Sequence, residues 1–211
     1  FAHIYNSFGT EVTIIESSPR ILPVEDHDIS KELEKIYKKR KISIYTNSKV
    51  KSIDKLKNKV KVNFSDGKCI KAEMVLMAVG VRANIEGLDL DKNNINMDNG
   101  WIKVNQFMQT NINNIYAIGD VVGPPWLAHV ASKEGIIAAE HIADLGPEPM
   151  NYNNIPGCTY CDPEVASVGL TEEMAIQEGY KIKIGKFPFR ALGKSMATGE
   201  YEGLVKIIYD D

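Results

Sequence analysis

Cysteine is scarce: three in 211 residues cannot build a disulfide framework, which points to a reducing compartment, cytoplasmic or, in a eukaryote, the mitochondrial matrix. Long apolar runs are missing as well. Even "MVLMAVGV" (74–81) has the length of one buried strand and falls far short of the roughly 20 residues that cross a membrane. Neither sign of charge dominates. The 25 Lys and Arg against 28 Asp and Glu leave a formal charge of −3, which gives no reason to expect nucleic acid or an anionic membrane as partner. The lysines of "YKKRK" (37–41) and "KLKNKVK" (55–61) read as a solvated helix end and a solvated hairpin. There is no internal repeat, no recognisable leader and no methionine at position 1. The opening "FAHIYNSFG" places apolar residues at 1, 4, 5 and 8, the stripe of a helix already under way, so the chain is expected to be an internal segment of a longer protein.

What is present alternates between helix and strand periodicity. Gly9 is positioned to cap the first helix, and "EVTIIE" (11–16) reads as a short strand ending on Glu16. Apolar residues at 29, 33, 36 and 37 predict a helix starting near Asp28. "ISIYTNSKVKSI" and "KVKVNF", then the "SDG" turn (65–67), predict a small antiparallel meander, and "MVLMAVG" a return to a buried parallel strand. Residues 84–115 are polar, with a turn at "DNG" (98–100), a short strand at "WIKV" (101–104) and a buried strand at "IYAIGD". "AHVASKEGIIAAEHIADLG" (128–146) predicts a helix of small residues closed by Gly146. Beyond Pro147 and Pro149 come short strands at 158–161, 165–169, 181–189 and 203–209, with a helix at 171–178 capped by Thr171. The last strand is expected to lack a partner, leaving an exposed edge. The whole is an α/β pattern with a hairpin insert.

Two acids sit where strands end. Glu16, after the strand that follows the first helix, stands where a carboxylate binds the ribose hydroxyls of a dinucleotide, or it is a solvated strand-end residue. "ESSP" supplies no cation for a 2′-phosphate, and Arg20 stands beyond a proline, so a dinucleotide here would be NAD and not NADP. Asp120 follows Gly119, and its carboxylate can accept two hydroxyl hydrogen bonds from a sugar or sugar alcohol, or it can serve as a turn aspartate. Eight residues further on a helix begins, with free N–H groups and a positive end.

"TNINNIYAIGDVVG" followed by "PPWLAHVASKEGIIAAEHIA" resembles the second flavin-binding motif of the two-dinucleotide-fold flavoprotein disulfide reductases, the FAD- and NAD-linked pyridine nucleotide-disulfide oxidoreductases. "LAH" and the downstream "EG" resemble the dihydrolipoamide-oxidising branch. "VTIIESSPRILP", "MVLMAVGVRAN" and "CDPEVASVGLTEEMA" stand in the same order as their counterparts there. The resemblance covers essentially the whole chain. It implies a Rossmann-like α/β flavoprotein fold: residues 1–83 from an NAD-binding domain, 84–150 from the second segment of an FAD-binding domain, and 151–211 from the start of an α+β dimerisation domain.

For cofactors it implies FAD and NAD. Glu16 would hold the NAD ribose, Val50 would lie beside the adenine and Gly80 near the nicotinamide half. Gly119 and Asp120 would approach the ribityl chain of FAD, and Trp126, Leu127, Ala128 and His129 would line the flavin, Trp126 replacing the methionine common there. For partners it implies a homodimer and the lipoyl domains of 2-oxoacid dehydrogenase or glycine cleavage complexes. Two other readings stay open, an NADPH-dependent disulfide or metal-ion reductase of the same fold and a non-catalytic nucleotide-binding or scaffold protein.

"CTYC" (158–161) invites a redox reading, but on a strand positions three apart face opposite ways, and no second pair completes a zinc site. The family's redox cysteines belong upstream of Phe1 and its catalytic histidine near the C-terminus, whereas no histidine follows residue 146 here. No catalytic and no metal-ligating residue is therefore expected in this chain.

Overall fold

The computed structural model describes residues 1–210, which form two compact units, one of residues 1–76 with 158–210 and one of residues 77–157. In chain order the first unit opens with helix α1 (Ala2–Ser7), strand β1 (Thr13–Ile15), helix α2 (His27–Lys39) and strand β2 (Ser43–Tyr45). Strands β3 (Val50–Lys55), β4 (Val60–Phe64) and β5 (Cys69–Ala72) follow. The second unit holds β6 (Met97–Asp98), β7 (Trp101–Ile102) and α3 (Ala128–Ile142). The chain then adds β8 (Gly157–Thr159), β9 (Val165–Ser167), α4 (Glu172–Gln177), β10 (Ile182–Pro188), α5 (Gly193–Thr198) and β11 (Leu204–Asp210).

In the first unit β1 and β2 pair in parallel, Thr13 opposite Ser43 through Ile15 opposite Tyr45, with α2 as the crossover between them. The apolar spacing of α2 does what it predicts: Leu33, Ile36 and Tyr37 are buried, and Leu33 and Tyr37 join Ile42 and Val165 in a core that Ile14, Ile29 and Ile44 pack against. Asp26 caps α2, its Oδ1 accepting from the Asp28 N–H at 3.0 Å, one residue ahead of the expected start. The turn after α1 closes as a Schellman motif on Gly9, whose φ of +85° disfavours a side chain. The meander forms as β3–β4–β5, turning at Asp66 and Gly67, but "ISIY", expected as its first part, leaves it and supplies β2 of the parallel pair. Thr171 caps α4, its hydroxyl accepting from the Met174 N–H at 3.2 Å.

Three expectations fail. Residues 74–81 form no strand. None of the strands among the described residues runs alongside them, and Met74, Leu76, Met77, Val79 and Val81 are all more than half exposed. An apolar run signals a preference for burial, but a parallel strand also needs neighbours to take its N–H and C=O groups. "IYAIGD" is not a strand either. It makes one bridge, Gln109 to Tyr116, and then turns into a 3₁₀ helix (Gly119–Val122) because Gly119 adopts φ +75°. β11, expected to be unpaired, pairs antiparallel with β10 from Ile182–Asp210 to Pro188–Leu204.

In the second unit β6 and β7 make a two-residue hairpin through Asn99 and Gly100, both at positive φ. Helix α3 stops four residues before Gly146: Asp144 takes the left-handed position, and the Leu145 N–H reaches the Glu140 carbonyl at 2.9 Å. Val130, Glu134, Ile137 and Ala138 are its buried face.

Candidate functional site

Gly119 and Asp120 sit at the start of the 3₁₀ turn, packed on the first turns of α3. A methyl group added at Gly119 would lie 3.3 Å from the Ala131 Cβ, and the φ of +75° already disfavours any side chain there. The Asp120 carboxylate is exposed and has no hydrogen-bond or ion-pair partner among the described residues; its carbonyl accepts from the Gly123 N–H at 3.4 Å. Helix α3 starts without a side-chain cap, since Leu127 occupies the cap position. Its first N–H groups, those of Ala128 and His129, are thus left for solvent or a ligand. A free carboxylate beside uncapped helix amides, under a glycine that keeps the backbone bare, suits a polyhydroxylated ligand that carries or gains negative charge.

Around this turn, Trp126 packs on Trp101 with ring centroids 5.3 Å apart, and Gly123 admits the Trp101 ring at 3.5 Å from where its Cβ would be. Ala128 and His129 are exposed on the first turn of α3. The His129 Nε2 is 3.0 Å from the Pro156 carbonyl. Gly80, at φ +118°, lies in the same unit but shares no hydrogen bond with these residues.

Glu16 and Val50 belong to the other unit. Glu16 closes β1, its N–H donating to the Tyr45 carbonyl at 2.9 Å. Its Oε1 accepts from the Ser18 N–H at 2.7 Å and the Ser17 hydroxyl at 3.2 Å, leaving Oε2 without a partner among the described residues. The Ser18 amide, followed by the two serine hydroxyls, outweighs partial burial and holds the carboxyl below its ordinary range. The Ser48 N–H donates to the Glu16 carbonyl at 2.9 Å, which brings the Glu16 loop to within two residues of Val50, half-exposed at the start of β3. Arg20, the nearest cation in sequence, is committed elsewhere. Its guanidinium grips Glu173 through both nitrogens at 3.0 and 2.8 Å and reaches the Pro23 carbonyl. An ionised carboxylate with one free oxygen and no free cation beside it suits a ribose diol and repels a phosphate.

All three cysteines are free thiols. Cys158 is exposed on β8, while Cys161 lies past the strand end, half-buried, its sulfur 3.1 Å from the Pro163 carbonyl. Burial pushes the Cys161 thiol up from its ordinary value, so little thiolate is available for attack. Among the described residues no group of three metal-ligating side chains comes together.

Two residues escaped the sequence reading. Glu134 is 2% exposed, and its oxygens accept from the Gly119 N–H and the Tyr152 hydroxyl, each at 2.7 Å. The signal was there, because Glu134 falls on the apolar stripe of α3, at i+4 from Val130, where a charge must find partners. Tyr152 carried none, since its partner lies 18 residues away across an irregular segment.

A family model described as "Pyridine nucleotide-disulphide oxidoreductase" matches residues 1–135, and one described as the dimerisation domain of that family matches residues 155–211. Curated relatives include the dihydrolipoyl dehydrogenases of Zymomonas mobilis, 48% identical, and Bacillus subtilis, 47% identical; each match covers 100% of this chain but only 46% and 45% of the relative. The chain thus spans a little under half the length of these proteins. Among solved structures, LpdA from Mycobacterium tuberculosis superposes with a TM-score of 0.92 at 27% identity, covering 100% of this chain and 46% of that one. The HOCl-induced flavoprotein disulfide reductase RclA from Escherichia coli gives 0.88 at 26% identity, covering 100% of this chain and 48% of that one. No helix among the described residues is long and apolar enough to cross a membrane.

Proposed function

The chain belongs to the pyridine nucleotide-disulphide oxidoreductase family, and from that membership we propose that it is the central portion of a dihydrolipoyl dehydrogenase. On this reading residues 1–83 come from the NAD-binding domain, 84–150 from the FAD-binding domain and 151–211 from a domain that joins two copies into a homodimer. The whole enzyme reoxidises the dihydrolipoyl groups of lipoyl domains in 2-oxoacid dehydrogenase or glycine cleavage complexes, with NAD⁺ as final acceptor. Three free thiols suit the reducing cytoplasm, or the mitochondrial matrix in a eukaryote.

The observation that carries the reading is the Asp120 carboxylate, without a partner among the described residues, on a glycine turn packed against the uncapped start of α3. Asp120 would accept hydrogen bonds from the ribityl hydroxyls of FAD. The Ala128 and His129 amides would face the isoalloxazine end, with Trp126 and Leu127 beside them. When bound, FAD supplies the electron relay between a disulfide and a nicotinamide. The positive end of α3 favours whichever state of that relay carries more negative charge. Glu16 would hold the NAD ribose diol, with Val50 near the adenine and Gly80 near the nicotinamide half. Arg20, locked to Glu173, is unavailable to a 2′-phosphate. This chain supplies binding and electrostatics, while the reactive dithiol and the base lie in other parts of the enzyme.

The test is to purify the full-length enzyme and follow NADH formation from dihydrolipoamide. A yellow protein with a strong preference for NAD⁺ over NADP⁺ is expected. A colourless protein, or one that prefers NADP⁺, would refute the reading.

A further inference from the structure

Glu134 is a carboxylate on the buried face of a helix built of small and apolar residues, and among the described residues no cation pairs with it. Such a group is costly to bury unless each oxygen finds a donor. Both do: Oε2 takes the Gly119 N–H and Oε1 the Tyr152 hydroxyl, each at 2.7 Å. The Gly119 N–H opens the 3₁₀ turn and would otherwise be an orphan donor. Close packing reinforces this clamp. An added Cβ at Gly119 would lie 3.3 Å from Ala131, and one at Gly135 would lie 3.2 Å from the Ile118 Cδ1, so only glycines let the turn approach α3 this closely. Tyr152 is placed by its own short 3₁₀ helix (Tyr152–Asn154), which Asn151 caps through the Asn153 N–H at 3.0 Å.

We propose that Glu134, held by Tyr152, is a positioning residue that fixes the Gly119–Asp120 turn on α3 and thereby sets how tightly the turn holds FAD; the inference rests on the flavin reading above. Glu134 touches no ligand itself. It acts by holding Gly119, and through the next peptide the Asp120 carboxylate, in one place, so that ordering the turn does not have to come out of the binding energy.

The test compares Glu134→Ala, Glu134→Gln, Tyr152→Phe and Asp120→Ala in the full-length enzyme, measuring FAD dissociation constants of the apoproteins, their far-UV circular dichroism and the visible absorption envelope of bound FAD. Glu134→Ala removes a charge-assisted bond and should weaken FAD about tenfold or more. Tyr152→Phe leaves one oxygen unpaired and should weaken it roughly three- to tenfold. Glu134→Gln should stay within about threefold, because its amide oxygen still accepts from Gly119 and its amide N–H donates to a Tyr152 hydroxyl turned to accept. The absorption envelope should change in Glu134→Ala and be rescued in Glu134→Gln. Wild-type FAD affinity in both Glu134→Ala and Tyr152→Phe, with Asp120→Ala having lost its flavin, would overturn the positioning role alone. Retention of FAD by Asp120→Ala would instead overturn the flavin site. If Glu134→Ala does not fold, Tyr152→Phe at wild-type affinity is enough to overturn the proposal.

Discussion

Replacing Lys206 with methionine should destabilise the first unit by about 3 kcal/mol at neutral pH and by less as the pH falls. Lys206 lies on β11 with its side chain 3% exposed, and its ammonium meets Asp26 at 2.8 Å, Asp28 at 2.7 Å and Glu172 at 2.5 Å. Burial alone would lower its pKa, but these three carboxylates reverse that and raise it. Asp26 joins the two helix starts, accepting from Asp28 in α2 through Oδ1 and from Glu172 in α4 through Oδ2, each at 3.0 Å.

Removing one member of a buried charge cluster costs about 3–5 kcal/mol. The lower end applies here. Asp28 keeps Lys186 at 2.7 Å, Asp26 keeps its two N–H donors, and the Asp28 and Glu172 side chains are 29% and 35% exposed, so water screens part of the loss. Methionine preserves the packing of the stem.

The sign of the pH dependence follows from linkage. In the wild type Asp28 is held down to about 2, by Lys186 first and Lys206 second, so its stabilisation is complete above the unfolded value near 4 and is lost as pH falls through 2. Without Lys206 the Asp26 carboxylate loses one of the bonds that hold its pKa down while the burial that raises it remains, so the variant gives up less stability than the wild type as pH falls. The gap between the two proteins should therefore narrow in acid. Urea titrations at pH 7.0 and 4.5 read by far-UV ellipticity would measure this; both tryptophans lie in the other unit and report on it instead. A loss below about 1 kcal/mol at pH 7, or a gap that widens in acid, would refute the reasoning.

Glu16→Ala in the full-length enzyme should raise the Michaelis constant for NAD⁺ by the equivalent of about 1.5–3 kcal/mol and penalise NADP⁺ less, as steady-state kinetics with both nucleotides would show. Gly119→Ala combines an unfavourable φ with a 3.3 Å approach to Ala131, so FAD should be released more readily on dialysis, with retention at wild-type stoichiometry counting against the close approach. The 211-residue chain expressed alone should not turn over dihydrolipoamide, because the half-buried Cys161 thiol has its pKa raised and no histidine follows His141. NADH absorbance in excess FAD, NAD⁺ and dihydrolipoamide checks this, and turnover abolished by Cys158→Ser or Cys161→Ser would contradict it.

The sequence by itself determined what depends on neighbours a few residues apart. The stripe at 29, 33, 36 and 37 carried the buried face of α2, and Gly9, Thr171 and the "SDG" turn carried caps and a reversal, because periodicity and capping act within one or two helical turns. Glu16 and Asp120 were legible as strand-end acids for the same reason, although Asp120 proved to follow a single bridge and to sit in a 3₁₀ turn instead of at the end of a strand. The tertiary structure alone decided which groups have partners. "MVLMAVGV" is as apolar as a core strand, yet lies exposed because no strand among the described residues flanks it. Lys206 alternates with Val205 and Ile207 like any strand lysine, but its inward face meets Asp26, 180 residues away. Arg20 is withdrawn from Glu16 by Glu173, 153 residues away. Glu134 stands on the apolar stripe of α3, which marks it as needing partners, but only the fold shows that these are Gly119 and Tyr152. Such partners depend on the path of the chain, and no local pattern encodes a charge that is satisfied from so far away.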